Sequence, residues 1–314
     1  MIRSKEVMIQ SDYPLSGTLT IPKEGNTTFP AALIISGSGK GDRDGNLKRM
    51  KMNIYKELAE FLTTKGFVTL RYDKRGTHQS GGDYHKTGVF DLINDATACV
   101  KFLQNLSEVE KERILILGHS EGALIAPAVY NKVAVSGLIL LSGAAGPSKD
   151  LSSFQTEKVF EEMNRTKGIK GWFFKTLKVA DKIKKQNEKL YSKVLQSKKD
   201  AIRIKGVKLN AKWLRETLDY NVYDYLKDVT CPVLAITGGK DVQVPPEHAR
   251  WIAETVKGDS EWHVISNMNH ILRDYEGEHS MLRLMKEYKS LLDEPLNGEL
   301  LDKMATWLNK YAYR

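Results

Sequence analysis

The chain has 314 residues, 41% of them hydrophobic and 28% charged, enough to bury a full core and too apolar for a disordered polymer. No apolar run approaches the ~18 residues of a membrane helix, Met1 to Gln10 lacks a signal-like apolar stretch, and Cys99 and Cys231 are too few for a disulfide framework or a four-thiolate zinc site. A reduced, soluble, cytoplasmic protein without membrane association is expected. The net charge of +9 is concentrated, since residues 158–212 hold 17 Lys and Arg against 5 Asp and Glu.

Val7-Met8-Ile9 and Gly17 to Ile21 flank Asp12-Tyr13-Pro14, the pattern of two antiparallel strands joined by a turn. Ala31 to Ile35 is a continuous apolar run that ends in Ser36-Gly37-Ser38-Gly39, as a buried strand ends. Ile54, Leu58, Phe61 and Leu62 share one side of an amphipathic helix over 50–65, closed by Gly66. Phe67 to Tyr72 reads as a strand, Asp91 to Leu103 as a helix, and Ile114 to Leu117 as a strand leading into a helix over 122–131. Further strands are expected at Leu138–Leu141, Val233–Ile236 and His263–Ile265, and a helix over 300–311. Apolar strands alternating with helices imply a parallel sheet covered on both faces. The rhythm breaks between about 146 and 227, where Lys-rich helical stretches carry no convincing strand. The expected division is therefore a core of residues 1–145 and 227–314 with a helical cap over 146–226. Cys99 and Cys231 are expected as small packed hydrophobes.

Gly118-His119-Ser120-Glu121-Gly122 fits G-x-S-x-G, and it stands where that motif belongs, between a strand and a helix. Such a turn lifts the Ser120 hydroxyl above the sheet, and the two glycines avoid collision with neighbouring backbone. The helix N-terminus behind the serine offers N–H groups and partial positive charge to an oxyanion. A serine hydroxyl needs a base, and the base an orienting acid, in chain order Ser, Asp or Glu, His. Asp241 follows the strand Val233–Ile236 and His270 follows His263–Ile265, so Ser120, Asp241 and His270 are the candidate catalytic residues. The first oxyanion donor is expected at the N–H of Glu121, the second at Ser38, with Gly39 as its alternative. His119 stands inside the motif and is a candidate for the pocket, although it cannot turn onto Ser120. The remaining histidines lack metal spacing, and Ser36 to Lys40 lacks the phosphate-loop pattern, so neither metal nor cofactor is expected.

These segments resemble the α/β-hydrolase superfamily, in particular its bacterial esterase and serine-peptidase-like branch. The likeness is carried by Ile35-Ser36-Gly37-Ser38-Gly39 with Asp42-Arg43-Asp44-Gly45, by Arg71-Tyr72-Asp73-Lys74-Arg75-Gly76, by Gly118 to Ala123, and by Asn269-His270. It implies an α/β-hydrolase fold, a mostly parallel eight-stranded sheet with helices on both faces and an inserted cap. It implies an esterase acting on small carboxylic esters through an acyl-enzyme on Ser120. Relatives carry R-G-x-G-x-S where this chain has Arg75-Gly76-Thr77-His78-Gln79-Ser80, with His78 at the second glycine. Asp73 and Arg75 are read as an ion pair holding this loop. In the cap, Phe154, Phe160, Trp172, Phe173, Phe174 and Leu177 are candidates for an apolar wall over the serine. The same three residues would serve a thioesterase, acyltransferase or peptidase, and a non-catalytic ligand-binding protein on this fold is the alternative from another class. The basic cap shows no nucleic-acid motif, so the expected partner is a small-molecule ester, with homo-oligomerisation left open.

Overall fold

The computed structural model describes residues 2–23, 28–169, 172, 176 and 179–311. The chain opens with the antiparallel strands β1 (Ile2–Ile9) and β2 (Leu15–Pro22), then alternates: β3 (Phe29–Ile35), α1 (Ile54–Thr64), β4 (Val68–Tyr72), α2 (Val89–Gln104), β5 (Val109–His119), α3 (Glu121–Tyr130) and β6 (Gly137–Leu141). After the segment discussed below come β9 (Val233–Gly238), α8 (His248–Thr255), β10 (Ser260–Ile265), α9 (Leu284–Lys289) and α10 (Gly298–Tyr311). The strands form one eight-stranded sheet in the order β1-β2-β4-β3-β5-β6-β9-β10, parallel from β4 to β10.

Strand β5 shows why this sheet is buried on both faces. Ile114 and Ile116 point into a core layer with Leu92, Val100 and Val129 of α2 and α3, while Leu115 and Leu117 point into a second with Leu58, Leu62, Met304 and Trp307 of α1 and α10. Side chains alternating across a strand produce the two layers. The topology also fixes where a ligand can enter. From β3 the chain passes through α1 to β4 on one side, then returns through α2 to β5 on the other. The loops leaving β3 and β5 diverge at this switch point and open a crevice above the strand ends.

Between β6 and β9 lie α4 (Ser148–Arg165), α5 (Val179–Gln196), β7 (Ala201–Ile204), β8 (Val207–Asn210), α6 (Ala211–Asp219) and α7 (Tyr223–Leu226). The expectation of a strand-free segment is corrected here, because β7 and β8 pair as an antiparallel hairpin with Ile204 opposite Val207. Its two-residue turn places Lys205 at φ 50° and Gly206 at φ 83°, the double left-handed geometry that matches hairpin twist.

Candidate active site

Ser120 sits between the end of β5 and the first residue of α3, at φ 55° and ψ −116°. This backbone is held because Gly118 and Gly122 let three chain segments touch. A Cβ on Gly122 would lie 2.0 Å from the Ile35 carbonyl oxygen, and one on Gly118 would lie 2.4 Å from that of Gly122. Any side chain there would push α3 off β3 and lower the serine. The Ser120 N–H donates to Leu141 O at 2.9 Å, fixing the turn to β6. Starting a helix at Glu121 leaves its N–H without an intrahelical acceptor.

The loops after β9 and β10 bring the other two candidates to the serine. His270 Nδ1 lies 2.7 Å from Asp241 Oδ2, and His270 Nε2 lies 3.1 Å from Ser120 Oγ, across 150 positions of chain. A carboxylate only accepts, so Nδ1 carries the proton and Nε2 is left to accept the serine O–H. Asp241 Oδ1 accepts the N–H groups of Gln243 (2.8 Å) and Val244 (3.0 Å). Burial alone would raise this carboxyl; the neighbouring His270 and the hydrogen bonds outweigh it and leave Asp241 below the ordinary carboxylate value.

Sequence reasoning left His119 at the pocket, and the structure gives its ring a more specific place. His119 is buried at 4% exposure, with Nε2 2.8 Å from the His270 carbonyl oxygen and Nδ1 2.9 Å from Tyr55 Oη. The carbonyl can only accept, so Nε2 donates. Tyr55 Oη accepts the Gly37 N–H at 2.6 Å and donates its own O–H to Nδ1. Burial, then the adjacent His270, hold His119 neutral by lowering its pKa to about 3. Tyr55 was not marked by the sequence. It reads as one more apolar-face residue of α1, and its hydroxyl matters only through partners distant in sequence.

The loop after β3 carries Ser38 and Gly39 and is anchored by ion pairs. Arg43 donates to Asp73 Oδ2 at 2.7 Å, and Arg71 to Asp44 Oδ1 at 2.6 Å, tying the loop to the end of β4. The expected Asp73–Arg75 pair is therefore corrected. Asp73 faces Arg43, while Arg75 turns to α2 and donates to Asp95 at 2.6 Å and 2.9 Å. His78 takes φ 43°, and its Nε2 bonds to the Lys40 carbonyl at 2.9 Å. In the loop after β4 a residue without an expected role, Lys74, donates to the Gly37 carbonyl and to Glu121 Oε2.

Ser120 and Ser38 both line two cavities of about 150 Å³ each. One runs toward Leu47, Met52, Tyr55 and His119. The other lies under α4 and α6 against Leu124, Leu151, Trp213 and Tyr220. Phe154 lines a separate cavity of about 600 Å³ between α4 and the loop after β9, which includes Asp241 but not Ser120. Phe160 borders a groove between α4 and α5. The expectation for Trp172 is corrected, because its side chain is 66% exposed and walls no cavity around the serine. Phe173, Phe174 and Leu177 lie outside the described residues. Trp213 and Tyr220, which the sequence did not single out, are aromatics of the segment between β6 and β9 that line a cavity containing Ser120. Cys99 and Cys231 are buried, and burial raises both thiols, Cys231 to about 12. Among the described residues no group of three or more His, Cys, Asp or Glu is placed to hold a metal ion, and no helix is long and apolar enough to cross a membrane.

Known proteins share this architecture. Esterase EstD of Thermotoga maritima is 27% identical over 298 residues, which cover 94% of this chain and 66% of EstD, so the chain spans just under two thirds of that relative. Est1E from Butyrivibrio proteoclasticus, solved with bound ferulic acid, superposes with a TM-score of 0.61 at 22% identity, over 91% of this chain and 97% of Est1E. The Pyrococcus furiosus esterase Pf2001 superposes with a TM-score of 0.57 at 18% identity, over 99% of this chain and 94% of Pf2001. The family model described as serine aminopeptidase, S33 (Hydrolase_4) matches residues 49–276, most of the length, and the chain belongs to that family of α/β-hydrolases.

Proposed function

We propose that the protein is a serine carboxylesterase that cleaves small carboxylic esters through an acyl-enzyme on Ser120. The observation that carries this is the row Asp241–His270–Ser120, with bonds of 2.7 Å and 3.1 Å, ending at a hydroxyl between two cavities. In this reading Ser120 Oγ attacks the ester carbonyl while His270 Nε2 takes its proton. The oxyanion is held by the N–H of Glu121 and by that of Ser38 or Gly39. Collapse expels the alcohol, which leaves with the proton from His270. Water, deprotonated by the same imidazole, then attacks the acyl-enzyme and releases the acid. Asp241 keeps the imidazole in the required tautomer throughout. General-base catalysis supplies ~10²–10⁴-fold and each oxyanion donor roughly 3 kcal/mol. The likeness to EstD supports the same reading.

Residues 146–226 act as the cap that roofs one cavity, with α4 and α6 over Leu124. Each cavity, at about 150 Å³, is small beside the ~300–1,000 Å³ of typical ligand pockets, so each half of the substrate is short. The test is hydrolysis of p-nitrophenyl esters from acetate to laurate by the wild type and by Ser120→Ala. Highest kcat/KM at the short acyl chains, abolished in the variant, is expected. Turnover only of acyl-CoA or of aminoacyl anilides would replace the esterase by a thioesterase or peptidase. Ester binding without turnover would leave a binding protein.

A further inference from the structure

We propose that Lys74 is a positioning residue that sets the oxyanion-binding peptide, and that the cap, through Trp213, holds Lys74 in place. The inference rests on the hydrolase reading above. Lys74 Nζ donates to the Gly37 carbonyl and, at 2.6 Å, to Glu121 Oε2. The other oxygen of that carboxylate, Oε1, accepts the indole N–H of Trp213 at 2.8 Å. A chain of polar contacts therefore runs from cap helix α6 through the residue after the nucleophile to the loop that faces it.

The consequence follows from the planarity of the peptide. The Gly37 carbonyl and the Ser38 N–H belong to one trans unit and point in opposite directions. Lys74 pulls the oxygen toward a small cavity that it lines with Gly39, Glu121 and Trp213. Ser38 itself lines both cavities that contain Ser120, and Lys74 lines neither. Fixing the oxygen behind the loop turns the Ser38 N–H toward the serine. The peptide before it is fixed as well, since the Gly37 N–H donates to Tyr55 Oη at 2.6 Å. Glycine, the residue most able to flip between two peptide orientations, is thus held on both sides.

Stability alone does not account for this ion pair. The side chains of Lys74 and Glu121 are 6% and 10% exposed, and a buried pair generally gains little over apolar residues of the same volume. What the pair does that apolar residues cannot is orient a carbonyl. The cap end of the chain is firmly seated. Asn210 Nδ2 donates to the carbonyls of Tyr84 (2.6 Å) and Thr87 (2.7 Å), and Lys212 pairs with Asp91 at 2.7 Å. Undocking the start of α6 would withdraw Trp213 from Glu121, so that oxyanion geometry depends on a docked cap.

The experiment is steady-state kinetics on p-nitrophenyl butyrate for Lys74→Met, Glu121→Gln, Trp213→Phe and the double variant Lys74→Met/Trp213→Phe, with circular dichroism as the check on folding. Lys74→Met should lower kcat by about 10²–10³-fold, the loss seen when one oxyanion donor is removed, with KM changed by less than about threefold. A boronic acid that mimics the tetrahedral adduct should lose affinity in step with kcat/KM. Trp213→Phe should lose about tenfold, and the double variant should be no slower than Lys74→Met alone, because both changes act through one contact. Glu121→Gln is isosteric and keeps the acceptor for Trp213, so it reports on the pair even where Lys74→Met does not fold. Folded variants at Lys74 or Glu121 that keep wild-type kcat, or that raise KM alone, overturn the proposal, and so do fully additive losses. A wild type without ester hydrolysis removes the hydrolase reading and this inference together, whereas an active wild type with unaffected variants removes the inference only.

Discussion

Replacing Tyr55 by Phe removes a single oxygen from the interior and leaves the ring packing intact. Two groups then lose their partner: His119 Nδ1, which is buried, and the half-buried Gly37 N–H. A buried polar group left unpaired costs about 1–3 kcal/mol, and the Gly37 group, nearer to solvent, sits at the lower end. The expected loss is about 2–4 kcal/mol, a large part of the ~5–15 kcal/mol that holds a typical domain together. The chemistry should suffer too. With Nδ1 unheld, the His119 ring loses the lock on its Nε2 bond to the His270 carbonyl, and kcat should fall about tenfold, less than the ~10²-fold of a 1 Å misplacement. Urea unfolding followed by fluorescence, together with kcat on p-nitrophenyl butyrate, reads both effects. A Tyr55→Phe protein within about 0.5 kcal/mol of the wild type and equal in kcat would refute the Tyr55–His119–His270 arrangement.

Three further outcomes follow from the same geometry. Asp241→Asn should lower kcat by about 10⁴-fold by forcing the wrong imidazole tautomer, while unfolding midpoints stay near wild type, since the Gln243 and Val244 N–H groups keep an acceptor. Gly122→Ala places a Cβ 2.0 Å from the Ile35 oxygen, so a destabilisation of about 4 kcal/mol is expected by urea unfolding; a wild-type midpoint would contradict the packing of the turn. His119 has a folded pKa of about 3 against an ordinary 6.5, so the native state stays neutral while the unfolded chain takes up a proton. That contribution is complete above pH 6.5 and is lost toward pH 3. Between pH 6 and 4.5 the stability advantage of the wild type over His119→Asn should shrink by about 1.4 kcal/mol per pH unit, and parallel stability curves would contradict it.

Where the candidate site lies was readable from local pattern. Apolar runs of strand length, each ending in a Gly-rich or polar loop, placed Ser120, Asp241 and His270 at strand ends, and a parallel sheet brings strand ends together. The hairpin at 201–210 was missed although its signal was present. Ile202, Ile204, Val207 and Leu209 are interleaved with polar residues around Lys205-Gly206, but lysines on the polar face made the stretch resemble the helices beside it. The ionic anchors failed for a different reason. Asp73 and Arg75 are two residues apart and of opposite charge, yet each meets a partner 20 or more positions away, because the turn after β4 sends them to different neighbours. Tyr55 and Trp213 carry no motif, Lys74 stands inside the Arg71–Gly76 segment without a sign of its partners, and the contacts of all three arise only when α1, the loop after β4 and α6 converge.

Trapping the covalent intermediate tests the central claim most directly. Incubation with a fluorophosphonate, followed by intact-protein and peptide mass spectrometry, should show one adduct per chain, located on Ser120 and absent from both Ser120→Ala and His270→Ala. An ester-hydrolysing wild type that stays unlabelled, or that carries the adduct on another residue, would contradict it.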